Sequence, residues 1–254
     1  MSSLPEPFIQ PSACVDAEVG ELWLPADDEV MLPYLRHARV WEPAEERLLI
    51  TLMTPRTRFL DVGAAIGYFS VLAARQCIKG TIDAVEPSPA NLPFLRMNLW
   101  RHAPHATVWP VALGAERGVV GLDRDPHNVG NTRVHEGGRT AGALSALARG
   151  DDLFAGRTFD LIKIDVQGFE LEVLQGMEAL IRRSPRIVAL AEFFPRAIQA
   201  RGRHPLQVLG GYRALGLRPV ASIDGRLEPL DDQETLALCQ RSGPDGFVNL
   251  LLQK

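Results

Sequence analysis

Phe59-Leu60-Asp61-Val62-Gly63-Ala64-Ala65-Ile66-Gly67 is an apolar run that ends in a glycine-bent turn, and the amphipathic stretch after it opens a helix. Glycine lets a backbone approach a ligand closely, a helix N-terminus offers unpaired N–H groups, and open parallel sheets take ligands beyond their strand C-termini. This strand-to-helix turn is therefore where an α/β protein holds a nucleotide-like cofactor. The spacing Gly63-x-x-x-Gly67 lacks a third glycine, which makes an NAD-dependent oxidoreductase a distant reading, and no Gly-Lys-Ser/Thr of a P-loop occurs. Asp61, two residues before Gly63, repels a pyrophosphate and suits a cationic ligand.

A second apolar run, Thr81 to Glu86, ends in a carboxylate nineteen residues after Gly67. An acid at that strand tip can accept hydrogen bonds from ribose hydroxyls. Pro87-Ser88-Pro89 then opens a helix from Ala90 to Trp100 that carries Asn91. A third segment, Phe159 to Glu170, reads as a buried central strand interrupted on one face by Lys163 and Asp165. Burying a charge is costly unless it is paired or used.

The Asp-x-Gly-x-x-x-Gly turn resembles motif I of S-adenosylmethionine-dependent methyltransferases, whose cofactor carries a sulfonium and an ammonium. Asp61 to Gly67, Glu86 to Asn91 and Ile164 to Glu170 together resemble the FkbM methyltransferase family, with Trp41-Glu42-Pro43 similar to its entry segment. The resemblance runs over roughly residues 40 to 195. It departs from the family pattern at Ala65, which replaces an asparagine, and at Gln167, which replaces an acid. It implies a class I (Rossmann-like) methyltransferase fold, a three-layer sandwich with a mostly parallel seven-stranded sheet whose last strand is antiparallel. S-adenosylmethionine is the implied cofactor, held by Asp61, Gly63, Ala65, Gly67, Glu86, Pro87, Asn91 and Ala112. The implied activity is O-methylation of a sugar, a polyketide or another secondary metabolite. An N- or C-methyltransferase and a non-catalytic nucleoside-binding module are the alternatives.

Composition narrows the partners. A chain of 254 residues with 46% hydrophobic and 23% charged residues is an ordinary globule with room for one large α/β domain. A net charge of −4 without a dense basic run argues against nucleic acid. Three widely spaced cysteines make neither a disulfide framework nor a zinc site, and no apolar run reaches membrane-spanning length. A small-molecule acceptor and a cytoplasmic location follow as expectations, with the oligomeric state open and a homodimer allowed.

Residues 1–42, rich in proline and poor in periodicity, are expected to wrap the domain without forming core, and to cap the acceptor pocket. Residues 43–254 are expected to form the methyltransferase domain that the resemblance implies. Within it, Thr107 to Leu113 reads as the third strand, and 115–156 as an irregular acceptor-side insertion with a hairpin. Phe169 to Arg183 reads as one helix, Arg186 to Phe193 as the fifth strand, and the chain finishes with two strands and little helix. Asp165 at a central strand tip is the strongest catalytic candidate, followed by Lys163 and Glu192. Asn128, Asn131, Arg133 and Gln167 are placed on the acceptor, and His127 and His135 are weaker candidates for a base. Asp165 and Glu192 together supply too few oxygens to claim a metal site.

Overall fold

The computed structural model describes residues 10–125, 127–135 and 142–254; the first nine residues of the wrapping segment, and 126 and 136–141 of the insertion, lie outside the described residues. The chain opens with an antiparallel hairpin, β1 (Ser12–Ala17) and β2 (Gly20–Pro25), followed by α1 (Met31–Ala38). Leu22, Leu24 and Leu35 are fully buried. The expectation that this segment contributes no core is therefore corrected: the alternation around Leu22 and Leu24 is a strand signal that the prolines obscured.

The α/β alternation then begins with α2 (Pro43–Leu52), β3 (Arg58–Val62), α3 (Tyr68–Gln76), β4 (Thr81–Val85), α4 (Leu92–His102) and β5 (Thr107–Trp109). Here the expected third strand breaks. Pro110 has no N–H to give a ladder, and the chain leaves the main sheet after Trp109. The residues beyond it, β6 (Ala112–Leu113), join β7 (Gly118–Arg124), β8 (Thr132–His135) and β9 (Ala143–Ala148) in a four-stranded sheet of order β6-β9-β7-β8. The insertion is thus a regular sheet with buried Val120, Leu122 and Val134, not an irregular stretch. α5 (Gly150–Leu153) leads back to the main sheet. Departure and return meet at one buried carboxylate: Asp83 of β4 accepts the Trp109 indole N–H at 2.8 Å and the Arg157 guanidinium at 2.7 and 2.5 Å.

β10 (Leu161–Ile164) takes the centre of the sheet, and α6 (Glu170–Gln175) and α7 (Glu178–Arg183) replace the single helix expected there. Gly176 sits at the break, where an added Cβ would lie 2.0 Å from the Gly114 carbonyl oxygen. Asp151 restarts the second helix by accepting the Ala179 and Leu180 N–H groups at 2.9 and 2.6 Å. The chain finishes with β11 (Val188–Phe193), α8 (Pro195–Ala200), α9 (Pro205–Ala214), β12 (Arg218–Ile223), β13 (Arg226–Glu228), α10 (Asp232–Arg241) and β14 (Val248–Gln253). Helix α10 corrects the reading of little helix near the C-terminus. Its capping box, Asp231 with Glu234, was present in the sequence.

The main sheet has the order β13-β12-β14-β11-β10-β3-β4-β5, eight strands where seven were expected; the extra one is the three-residue edge strand β13. β3, β4, β5, β10 and β11 run parallel, and β14 pairs antiparallel with both β11 and β12. Alternation sorts the strands onto two faces. Leu60, Val62, Ile162 and Ile164 pack with Leu171, Leu174 and Tyr212, whereas Phe59, Leu161 and Leu190 pack with Val71, Leu95 and Leu24. The result is a helix–sheet–helix sandwich of the class I methyltransferase type. Asp61 and Lys163 share the second face, as direct partners at one register of β3 and β10. Among the described residues no helix is long and apolar enough to cross a membrane.

Candidate active site

A cavity of about 350 Å³ opens beyond the C-terminal ends of β3, β10 and β11, the position where open parallel sheets bind ligands. Its floor is the turn that decided the fold: Asp61, Gly63, Ala64, Ala65 and Ile66. Gly63 has φ +84° and packs so tightly on the next strand's exit that a Cβ would lie 1.9 Å from the Asp165 carbonyl oxygen. Ala65 holds a left-handed φ of +49°. That conformation tolerates asparagine far better than most residues, so the family's asparagine at this position has a backbone reason as well as a hydrogen-bonding one. Gln167, the other departure, is also left-handed at φ +54°.

The catalytic candidates converge. Lys163, almost fully buried, donates to Asp165 at 3.1 Å, lies 4.0 Å from Glu45 and stands 4.5 Å over the Phe69 ring. Gln167 Nε2 donates to Asp165 at 3.1 Å and reaches Glu192 at 3.5 Å. Asp165 is therefore held from two sides, and Lys163, Asp165, Gln167 and Glu192 all line the cavity. Asp61 accepts the Ser70 hydroxyl at 2.6 Å. Burial raises the Asp61 carboxyl above the usual range despite Lys163, and raises Glu192 well above it, reinforced by Asp165 and Glu170. Burial pulls the Lys163 ammonium down, but the facing Asp165, Glu45 and Glu42 outweigh it and hold the group well above the ordinary lysine value.

Asn128 and Asn131, on the loop between β7 and β8, and Arg133, on β8 itself, line the same cavity. That loop is tied down at Val129, whose N–H donates to Asp28 at 2.7 Å and whose carbonyl accepts from Asn91 at 3.1 Å. His127 and His135 are exposed and lie outside the cavity, beside Glu29 and Asp123 respectively.

The remaining cofactor candidates are not brought to the cavity wall. Gly67, with φ +90°, makes the turn into α3. Glu86 is buried and accepts the Ala65 and Ser88 N–H groups at 2.9 and 2.8 Å, with the Asn91 amide at 3.4 Å. Burial pushes its carboxyl up to about 7. Pro87 follows on the same turn. Ala112 is displaced into the four-stranded sheet, where it pairs with Leu147, because the chain leaves the main sheet at Pro110. The expectation that it ends the third strand of the main sheet is corrected for that reason.

Several lining residues were not singled out as site residues. Met31 and Trp41 close one side, Phe194 and Phe247 another, and Glu42 enters from the segment before α2 with a left-handed φ of +46°. Trp41-Glu42-Pro43 was visible as a motif, but spacing alone does not show that the turn aims its acid inward.

The carboxylates fit a cationic cofactor, and the glycine turn beside them gives close backbone access. Residues 61–216 match the model of the methyltransferase FkbM domain. The chain belongs to the FkbM methyltransferase family. Membership makes S-adenosylmethionine its cofactor. The chain is similar in fold to the methyltransferase FkbM of Methylobacillus flagellatus KT, with a TM-score of 0.52 and 15% identity over 87% of this chain and 46% of that one. It thus spans about half the length of that relative. A TehB-like SAM-dependent methyltransferase from Corynebacterium glutamicum superposes with a TM-score of 0.50 and 14% identity, covering 88% of this chain and 94% of that one. No curated protein matches the chain in sequence.

Proposed function

We propose that this chain transfers a methyl group to a hydroxyl oxygen of a small molecule, in the class of sugars, polyketides or other secondary metabolites, and that it works in the cytoplasm. The observation that carries the reading is Asp165, at the tip of the central strand, held by Lys163 and Gln167 and facing the same cavity as the Gly63–Ile66 turn. When bound, S-adenosylmethionine supplies an electrophilic methyl carbon on a sulfonium. Asp61 and the glycine turn would hold its cationic end. Asp165 orients the acceptor hydroxyl and takes its proton as the oxygen–carbon bond forms. The sulfonium would supply the leaving group for the transferred methyl, and Asp165 would keep the released proton, so the charges balance. Lys163 and Gln167 fix the Asp165 carboxylate, and Asn128, Asn131 and Arg133 position the acceptor. Most of the acceleration in such a displacement comes from alignment, with the base adding about 10²–10⁴-fold.

The test is single-turnover transfer of labelled methyl, with the labelled atom identified in the product. Asp165→Asn should lose about 10²–10⁴-fold in rate and leave S-adenosylhomocysteine affinity within about threefold. A folded Asp165→Asn protein with wild-type turnover would remove the base assignment, and label on nitrogen or carbon would replace O-methylation.

A further inference from the structure

The cavity wall carries more carboxylates than cations: Glu42, Asp61, Asp165, Glu192 and Asp245 line it against Lys163 and Arg133. Among the described residues, Lys163 alone of the lysines and arginines is buried, and it is committed to Asp165 and Glu45. Arg133, the other basic residue on the wall, is exposed at the rim. Glu42 and Glu192 remain. Among the described residues, the Glu42 carboxyl faces that of Glu45 and no cation within ion-pair distance, and its enclosed Oε2 has no hydrogen-bond partner; Glu192 has a single long contact at 3.5 Å from Gln167. A carboxylate oxygen without a partner away from water is costly. The residue that carries it is also held in a left-handed backbone that glutamate rarely adopts. Such outliers persist where the surroundings impose them, and they concentrate at ligand sites.

The aromatic lining points the same way. Trp41 adjoins Glu42, and Phe194 lies two residues beyond Glu192 with its ring 6.4 Å from that of Phe247. Rings beside carboxylates that have no cation of their own make the environment that stabilises an organic cation, through charge and cation–π attraction together. A metal ion fits less well, because among the described residues no three His, Cys, Asp or Glu side chains are arranged to hold one.

We infer that the acceptor carries a protonated amine, seated between Glu42 and Glu192 and the rings of Trp41 and Phe194, beside the hydroxyl presented to Asp165. The inference rests on the O-methylation reading for the hydroxyl alone; the amine subsite stands on its own residues. Burial raises both carboxyls well above the usual range, Glu42 with a further push from Glu45, and an ammonium between them favours their charged forms.

The experiment uses the whole chain saturated with S-adenosylhomocysteine, titrated calorimetrically with matched pairs: amino sugars and amino alcohols, each beside its N-acetyl derivative. The same pairs are then offered with labelled S-adenosylmethionine. At least one amine should bind tenfold or more tighter than its acetylated partner, and Glu42→Gln should reduce that preference to about threefold or less. Glu192→Gln provides a second variant should the first fail to fold. The inference is overturned if no amine in the panel outbinds its acetylated partner. It is equally overturned if Glu42→Gln weakens S-adenosylhomocysteine tenfold while leaving the amine preference intact, which would give Glu42 to the cofactor's own ammonium. Amine preference without methyl on oxygen supports the subsite and sinks the O-methylation reading; methyl on oxygen with no amine preference does the reverse.

Discussion

Replacing Lys163 by methionine removes the cation around which the site is built while keeping most of the side-chain volume that packs on Phe69. The change leaves Asp165, 3.1 Å away, and Glu45, 4.0 Å away, without their counter-charge. Breaking a buried pair by deleting one partner costs about 3–5 kcal/mol. The Asp165 side chain is 26% exposed, so water screens part of that loss and the low end, about 3 kcal/mol, applies. For a chain of this size each kcal/mol moves the melting temperature by about 2–4 °C, so a fall of about 6–12 °C is expected. The pH dependence fixes the cause. Lys163 opposes the upward shifts of Asp61, Glu42 and Glu192, so without it their folded values rise further above the unfolded ones. Carboxyls raised on folding bind more protons in the folded state, and their stabilisation is lost as pH rises through the folded value. The gap between wild type and variant should therefore widen from pH 5 to pH 8 in paired thermal melts and urea titrations. A variant that melts with the wild type, or a gap that ignores pH, would refute the view that these carboxylates depend on Lys163.

Glu86→Gln should flatten part of the pH dependence of unfolding. The Glu86 carboxyl, at about 7 when folded against an ordinary 4.5, adds stability below pH about 4.5 that is lost as pH rises through about 7, by about 3 kcal/mol at most. Glu170, also pushed to about 7 by burial, leaves a residual slope; an unaltered slope in urea titrations would contradict the burial account. Ala65→Gly should raise stability by about 1 kcal/mol by relieving the left-handed alanine, and a loss of stability in the same titration would show that the methyl group packs usefully. Asp231→Ala removes the cap that accepts the Glu234 N–H at 2.8 Å and should cost about 1 kcal/mol, read as a lower urea midpoint at unchanged slope.

Much of this architecture was legible because local chemistry and tertiary role coincide. β3 (Arg58–Val62) is legible in the run from Phe59, since apolar residues meet a glycine turn there. Lys163 and Asp165 fell on one face because strand alternation is strict. The failures came where distant contacts override local pattern. Nothing around Gly176 announces that Gly114 lies against it, so one helix became two. The stretch 115–156 looked irregular because glycine, asparagine and aspartate punctuate it and its strands pair with each other, not with the main sheet. Glu42 escaped notice because its importance lies in a left-handed turn that aims the side chain inward, a property of the backbone that residue type does not encode. Ala112 was misplaced by counting through Pro110 as though the strand continued.

The shared grip of Trp109 and Arg157 on Asp83 has a consequence for how such enzymes diversify. A segment that departs from and rejoins a scaffold at one fixed carboxylate can lengthen, shorten or be exchanged with little change in the distance its ends must span. The loop with Asn128 and Asn131, and the strand with Arg133, ride on that segment, whereas the glycine turn, Asp61, Lys163 and Asp165 belong to the sheet it leaves behind. Grafting the corresponding segment from a relative, with Asp83, Trp109 and Arg157 retained, would transplant one part of the cavity lining onto an unaltered sheet and glycine turn, so on the proposed roles the choice of acceptor is open to inheritance separately from the chemistry.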